Sequence, residues 1–224
     1  MERKYYEAYD DRYRQVHSRH LRWFMEEPSH IVSDVVAEFG ISQTDKLLEI
    51  GCGEGRDARF LLRNGYDLLA TDISAEAIGY CRREMPEFGA HFQVLNCLAD
   101  RLDTKFDFLY AVAVIHMLVL DEDRRDFYRF VREHLKESGI ALICTMGDGV
   151  MERKSDISTA FDLQERLHEQ SGQTVRIAGT SYRGVSFETF RGELAENGLT
   201  ILKEGLTDVQ PDYWKMMYAV VKKS

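Results

Sequence analysis

Prolines, tryptophans and cysteines are scarce in these 224 residues, with three, two and four respectively. Pro28, Pro86 and Pro211 all fall between periodic segments, and no linker, repeat or low-complexity tract divides the chain. Cys52, Cys81, Cys97 and Cys144 show no CxxC spacing and no secretory context, so free thiols in a reducing cytoplasm are expected. Long apolar runs are missing too. The longest, Ala111 to Leu120, is interrupted by His116 and is far too short to span a bilayer. Met1 to Tyr6 has no apolar core of the kind a signal peptide needs, which makes a cytoplasmic location the expectation. Positive charge is also in deficit. A net charge of −9 argues against a nucleic-acid backbone bound over a broad surface.

What is present describes one globular unit, 44% apolar and 30% charged, long enough to bury about 70% of its unfolded surface. The charge is unevenly spread. Residues 1–22 carry six Lys/Arg against four Asp/Glu, so this segment is +2 while the remaining chain is −11.

Periodicity predicts a helix over 4–24, with Tyr6, Tyr9, Tyr13, Val16 and His20 near helical spacing. A second helix, capped by Ser29, runs to Phe39 and closes at Gly40. Strands follow over 46–50, 67–71, 91–95, 106–114 and 140–145. Helices over 56–64, 75–84 (capped by Ser74) and 121–136 lie between them. Strands alternating with helices of this length mean βαβ crossovers and a parallel sheet covered on both faces. The end departs from that rhythm. A helix over 187–197 precedes strands over 199–205 and 213–222 whose short connection forbids a crossover, so the last strand is expected to pair antiparallel. Residues 150–186, with a helix over 157–169, read as an insertion over the carboxyl ends of the strands, where open α/β sheets bind ligands.

The densest signal is Leu47-Leu48-Glu49-Ile50-Gly51-Cys52-Gly53-Glu54-Gly55-Arg56. A buried strand ending in alternating glycines turns sharply into a helix and lets a ligand approach bare backbone. A second apolar run, 67–71, then delivers Asp72. A glycine turn after one strand and an acid after the next is how doubly wound folds hold a nucleoside. Arg56-Asp57 opens the helix, where the acid suits the positive end of the dipole.

With Glu49 before the turn, Asp72 after it, Asn96-Cys97 beyond the third strand and Phe106-Asp107-Phe108-Leu109-Tyr110 as the fourth, the chain resembles the class I S-adenosylmethionine-dependent methyltransferases. The resemblance covers about residues 30–150 and the terminal hairpin. It implies a doubly wound, seven-stranded, mostly parallel sheet with an antiparallel last strand, plus a helical lid. The implied organisation is a lid segment over 1–28, a cofactor-binding core over 29–149, a lid insertion over 150–186 and a core completion over 187–224. It also implies a cofactor set of Glu49, Gly51, Cys52, Gly53, Asp72, Ile73, Asn96, Cys97 and Ala111. Asp72 would accept two charge-assisted bonds from the ribose diol. Asn96 departs from the pattern, standing where relatives usually place an Asp against the adenine amine.

His116, after the fourth strand, is the one titratable residue between Ala111 and Leu120 and is the candidate general base, with Tyr13 and Arg14 beside it in the catalytic set. Its competing role is that of a satisfied core histidine. Tyr5, Tyr9, His17 and His20 from the N-terminal segment, with Tyr182 and Arg183 from the insertion, are candidate acceptor contacts through stacking and bidentate binding. No clustered acidic and histidine pattern suggests a metal, and the fourth strand lacks the Asn/Asp-Pro-Pro-aromatic motif of nucleic-acid base methyltransferases.

The expected activity is methyl transfer to a small-molecule or peptide acceptor. Oxygen is favoured, and the cationic lid in an acidic protein points to an anionic acceptor such as a carboxylate. No nucleic acid or membrane partner is expected, and the chain is a monomer or dimer. Methylation of a small amine is the alternative. A nicotinamide-dependent oxidoreductase and a non-catalytic cofactor-binding module are readings from other classes. The first is opposed by the GxGxG spacing.

Overall fold

Along each central strand, neighbouring side chains enter two different cores, and that alternation dictates a sheet covered on both sides. The computed structural model describes residues 3–23, 27–168, 171–208 and 215–224. A 3-10 turn at Tyr5–Glu7 leads into α1 (Ala8–His17), then α2 (His30–Glu38), β1 (Lys46–Ile50), α3 (Arg56–Arg63), β2 (Asp67–Asp72) and α4 (Ala75–Glu84). β3 (Phe92–Val94), β4 (Phe106–Val112), α5 (Asp121–His134) and β5 (Leu135–Met146) follow. Next come β6 (Arg153–Lys154), β7 (Leu163–His168), β8 (Gln173–Ala178) and β9 (Arg183–Gly184). The chain closes with α6 (Phe187–Glu196), β10 (Leu199–Thr207) and β11 (Met216–Lys223).

Seven strands form one sheet in the order β10-β11-β5-β4-β1-β2-β3. From β5 to β3 every pairing is parallel, and β11 runs antiparallel to both β5 and β10. Leu48, Leu109, Ile143 and Ala219 point to the face covered by Phe127, Phe130 and Val131 of α5 and Phe190 and Leu194 of α6. Leu47, Tyr110, Cys144 and Val220 point to the other face, packed by Val32 and Val35 of α2, Ala58 and Leu61 of α3, and Ile78 of α4. The order reverses at β1, which lies between β2 and β4, so a crevice opens at the carboxyl ends of these strands.

Several expectations are corrected. The lid is not all helical. In place of the helix over 157–169, residues 157–168 hold a 3-10 turn at Ile157–Thr159 and then β7, which pairs with β8 as an antiparallel hairpin, and residue 169 lies outside the described residues. Residues 163–168 are helix formers by propensity, but pairing with the β-branched Thr174, Val175 and Ile177 overrides that preference. The N-terminal helix stops at His17, since His20 takes a left-handed φ of 58°. Residue 24, the expected helix end, lies outside the described residues, as do Pro211 and the expected start of the last strand at Tyr213. β3 is shorter than 91–95, β4 ends at Val112, and α5 gives way to β5 at Leu135 rather than closing at Ser138-Gly139. Ser29 stands at the N-cap of α2 without capping it, because its N–H (2.6 Å) and hydroxyl (2.8 Å) both donate to Asp57. Asp57, in the first turn of α3, therefore also ties α2 to α3.

Among the described residues no helix is long and apolar enough to cross a membrane.

Candidate active site

The glycine turn is held from behind by the next strand. Gly51 and Cys52 donate backbone N–H groups to Thr71 O (2.7 and 2.9 Å), and Thr71 Oγ1 donates to Glu49 O (2.7 Å). Gly51, Gly53 and Gly55 take φ values of 74°, 53° and 77°, conformations that favour glycine. A Cβ on Gly51 would collide with Val114 Cγ2, so this backbone is bare for packing reasons as well.

Asp72, at the end of β2, accepts Gly53 N–H on Oδ2 (2.9 Å) and Ser74 N–H on Oδ1 (2.8 Å). Burial pushes its pKa up to about 6 despite those donors. Glu49 is also buried, and its Oε2 has no partner among the described residues. Burial, and then the nearby Asp57, hold its pKa well above the usual carboxylate range.

These groups line one cavity of about 600 Å³ with Tyr9, Arg12, Tyr13, Trp23, Ile73, Leu95, Asn96, Cys97 and Leu98. That volume is typical of a small-molecule site. The donor set suits a nucleoside carrying an amino acid. Asp72 can take a diol, the orphaned Glu49 oxygen can take an ammonium, and the bare glycine backbone accommodates the chain between them. Asn96 Oδ1 accepts Leu98 N–H (3.0 Å), so this amide oxygen is already engaged in a turn. Among the described residues no three His, Cys, Asp or Glu side chains are grouped so as to hold a metal.

The far part of the cavity belongs to the lid. α1 docks on α4 through Asp10, which accepts Ser74 Oγ–H (2.6 Å) and Glu76 N–H (3.1 Å) at the helix N-terminus. Arg12, 9% exposed, donates to Ala178 O (3.1 Å), Gly179 O (3.0 Å) and Thr180 Oγ1 (2.8 Å), clamping α1 to the hairpin. Its guanidinium also lies over the Tyr9 and Trp23 rings. Ala113 and Thr180, both lining the cavity, hold left-handed φ values of 58° and 62°, a strain that clusters at functional sites. His116 is buried, its Nδ1 unpartnered among the described residues, with the Tyr182 ring 5.9 Å away. Burial, followed by the Arg124 and Arg12 charges, pulls its pKa down to about 3, so the imidazole is neutral at ordinary pH. Tyr13 is a neutral phenol, its pKa raised by burial and then by Asp72 and Glu54.

The structure thus brings Glu49, Gly51, Cys52, Gly53, Asp72, Ile73, Asn96, Cys97, Tyr9, Tyr13, His116 and Tyr182 to one cavity. Six candidates lie elsewhere. Ala111 is fully buried in β4 behind the wall. Arg14 pairs with Asp10 and Asp11 at the surface. Tyr5 donates to Asp123 (2.6 Å) and accepts Val119 N–H (2.9 Å). His17 bridges Glu54 (3.0 Å) and Glu76 (2.9 Å). His20 sits in an exposed turn, and Arg183 is bound to Val119 O and Asp121. Sequence reasoning missed Arg12, Arg153, Gln164 and Arg166 on the wall. Helical spacing could have found Arg12, which follows Tyr9 by three and precedes Val16 by four.

The fold and this crevice define a class I methyltransferase architecture. Residues 48–141 match the family model described as a methyltransferase domain. Over 115 residues the chain is 26% identical to a probable S-adenosyl-L-methionine-dependent methyltransferase, TehB of Haemophilus influenzae; the match covers 50% of this chain and 40% of that protein, so the chain spans under half of that relative. A glycopeptide N-methyltransferase, MtfA, solved with S-adenosylmethionine, superposes with a TM-score of 0.66 at 19% identity, covering 92% of this chain and 98% of that one. The Burkholderia thailandensis 1,6-didemethyltoxoflavin-N1-methyltransferase, solved with S-adenosylhomocysteine, gives a TM-score of 0.71 at 14% identity, covering 100% and 92%. Residues 48–141 therefore match a methyltransferase domain set in the class I fold, and the similar proteins point to S-adenosylmethionine as its cofactor.

Proposed function

We propose that the protein transfers a methyl group from S-adenosylmethionine to an oxygen of a small aromatic anion, a carboxylate being favoured. The observation that carries this is the lid wall of the cavity. It presents Arg12, Arg153 and Arg166 beside Tyr9, Trp23 and Tyr182, and its histidine is neutral. Arg153 lies over the Tyr182 ring, 5.3 Å from its centroid, a platform on which a planar acid can stack beside a cation.

Glu49, Gly51, Gly53 and Asp72 would hold the cofactor, which supplies a methyl group on a positively charged sulfur. A carboxylate acceptor needs no proton removed, so an imidazole with its pKa near 3 suffices as a polar wall rather than a strong base. The protein's contribution is to orient the acceptor and exclude water, which supports near-attack geometry.

Methylation of a small amine is the second reading, favoured by the neutral imidazole, which can accept a hydrogen bond from an N–H. The test is incubation with S-adenosylmethionine and matched panels of aromatic acids and aromatic amines, reading S-adenosylhomocysteine by chromatography. Base-labile methyl esters from the acids are expected. Turnover on the amines alone would overturn the carboxylate reading.

A further inference from the structure

Arg124 on α5 is the largest fully buried side chain described, 1% exposed. Burying a guanidinium is expensive, and a well-packed apolar side chain in its place is often no less stable. Its position therefore calls for an explanation beyond packing. Nε and Nη2 form a fork on Glu193 of α6 (2.7 and 2.6 Å), whose Oε2 also accepts the Tyr128 hydroxyl (2.7 Å). The remaining nitrogen, Nη1, points the other way. It donates to Ile115 O (2.8 Å) and Leu118 O (3.3 Å), the carbonyls flanking His116 in the 3-10 turn after β4.

His116 has no side-chain partner of its own on Nδ1 among the described residues. An imidazole without an orienting bond takes its place from the backbone that carries it and from the side chains packed on it, so fixing the turn sets where the ring can stand. We propose that Arg124 is the positioning residue of the acceptor wall: its guanidinium fastens the turn on both sides of His116 and so sets where the imidazole stands in the cavity. The inference rests on reading the His116 end of the cavity as the acceptor end.

The surrounding contacts complete the grip. Ser181 Oγ from the lid donates to Met117 O (2.7 Å), and Arg183 Nη1 donates to Val119 O (2.9 Å). The charged and titratable groups that bear on the ring are Arg124 from α5, Arg12 from α1 and Tyr182 from the lid, 5.9 Å away. Arg124 thus joins α5, α6 and the turn into one rigid support. Two of its three nitrogens are anchored away from the cavity, which frees the third to act as a fixed peg.

The test is histidine-labelled NMR on the full chain. In the parent, His116 is expected to stay neutral down to about pH 4, with slow amide exchange at Ile115–Leu118. Arg124→Met combined with Glu193→Gln removes both buried charges together. It should raise the His116 titration, which burial still holds below the ordinary imidazole range, and speed exchange in the turn at least about fivefold. S-adenosylhomocysteine affinity by calorimetry should remain within about threefold of the parent, since the hydrogen bonds described for Arg124 go to Glu193, Ile115 and Leu118 and not to the glycine turn or Asp72. If the double variant does not fold, Arg124→Lys keeps the charge but loses the fork, and the faster exchange is still expected. A folded variant whose His116 titration and turn exchange match the parent would overturn the proposal. His116→Gln separates the underlying reading. If its turnover on an accepted acid or amine equals the parent's, the ring is not part of the acceptor wall, whatever the NMR shows for Arg124.

Discussion

Replacing Asp72 by Asn separates what this carboxylate does for the cofactor from what it does to the fold. Its pKa in the native chain is about 6 against an ordinary 3.8. Between those values the native state binds more protons than the unfolded chain, so its contribution to stability falls as pH rises through the window and is flat above it. Applied to one site, this linkage lowers native stability by about 1 kcal/mol near pH 4.5 and by about 3 kcal/mol near pH 7.5. Asn does not titrate. It also leaves either Gly53 N–H or Ser74 N–H facing an amide donor, at a pH-independent cost of about 1–3 kcal/mol. The informative quantity is therefore the change in the parent-minus-variant gap, about 2 kcal/mol less favourable to the parent at the higher pH. Urea unfolding of both proteins at the two pH values measures it. Binding runs the opposite way. A ribose diol donates to the ionised form, so the parent's affinity for S-adenosylhomocysteine should fall about tenfold per pH unit below 6, while the variant binds about 10- to 100-fold more weakly at neutral pH. A stability gap constant across the window would refute the argument that a desolvated charge is held here for the ligand.

Three further outcomes are expected. Gly51→Ala must hold φ at 74° and displace the stiff Val114 side chain, so it should destabilise by at least about 1–2 kcal/mol and abolish S-adenosylhomocysteine binding by calorimetry. Gly40→Ala, with φ of 67° and open space around it, should pay a similar backbone strain and still bind. For His17, burial pulls its pKa down, but Glu54 and Glu76 outweigh this and hold it above the ordinary value. Its charged latch is complete below the ordinary value and lost as pH rises through the raised one, so S-adenosylhomocysteine dissociation should accelerate with pH in the parent and be fast and pH-independent in His17→Ala, by stopped flow. Arg153→Ala and Arg166→Ala should each weaken an anionic acceptor about 10-fold in KM and leave cofactor affinity unchanged by calorimetry.

The glycine-turn end of the cavity was legible in the sequence because its determinants are local. A strand, three glycines and an acid at the end of the next strand place Gly51, Gly53 and Asp72 through hydrogen bonds among near neighbours in the sheet. The acceptor half depends on chain segments far apart in sequence. Arg12 reaches Ala178 and Thr180 across more than 160 residues, a pairing no local pattern encodes. On β7 the informative alternation is short, with Gln164 and Arg166 turned to the cavity while Leu163 and Leu167 face outwards. Helix formers at those positions hid it. Arg14 and Arg12 illustrate the limit on α1, where residues two apart fall on different faces and composition alone cannot choose between them.

The two halves are also held by different forces, and this bears on how acceptor choice can vary. The proposed cofactor contacts come from the ends of buried strands, so changing them disturbs the sheet. The lid has its own small core of Val16 from α1 against Val175 and Ile177 of β8, with Leu21 and Trp23 alongside. Neither piece buries that surface alone. Gln15 Oε1 accepts Ala178 N–H (2.7 Å) and Arg12 closes the same strand, so α1 and the hairpin form one composite wall. Side chains facing inward from that wall, Gln164 and Arg166 above all, contact neither the sheet core nor the glycine turn in any hydrogen bond described. Substituting them changes the charge and shape offered to an acceptor while Asp72, Glu49 and the turn remain as they are. A fold that binds one methyl donor can therefore serve many acceptors, because the residues that discriminate among them carry little of its stability.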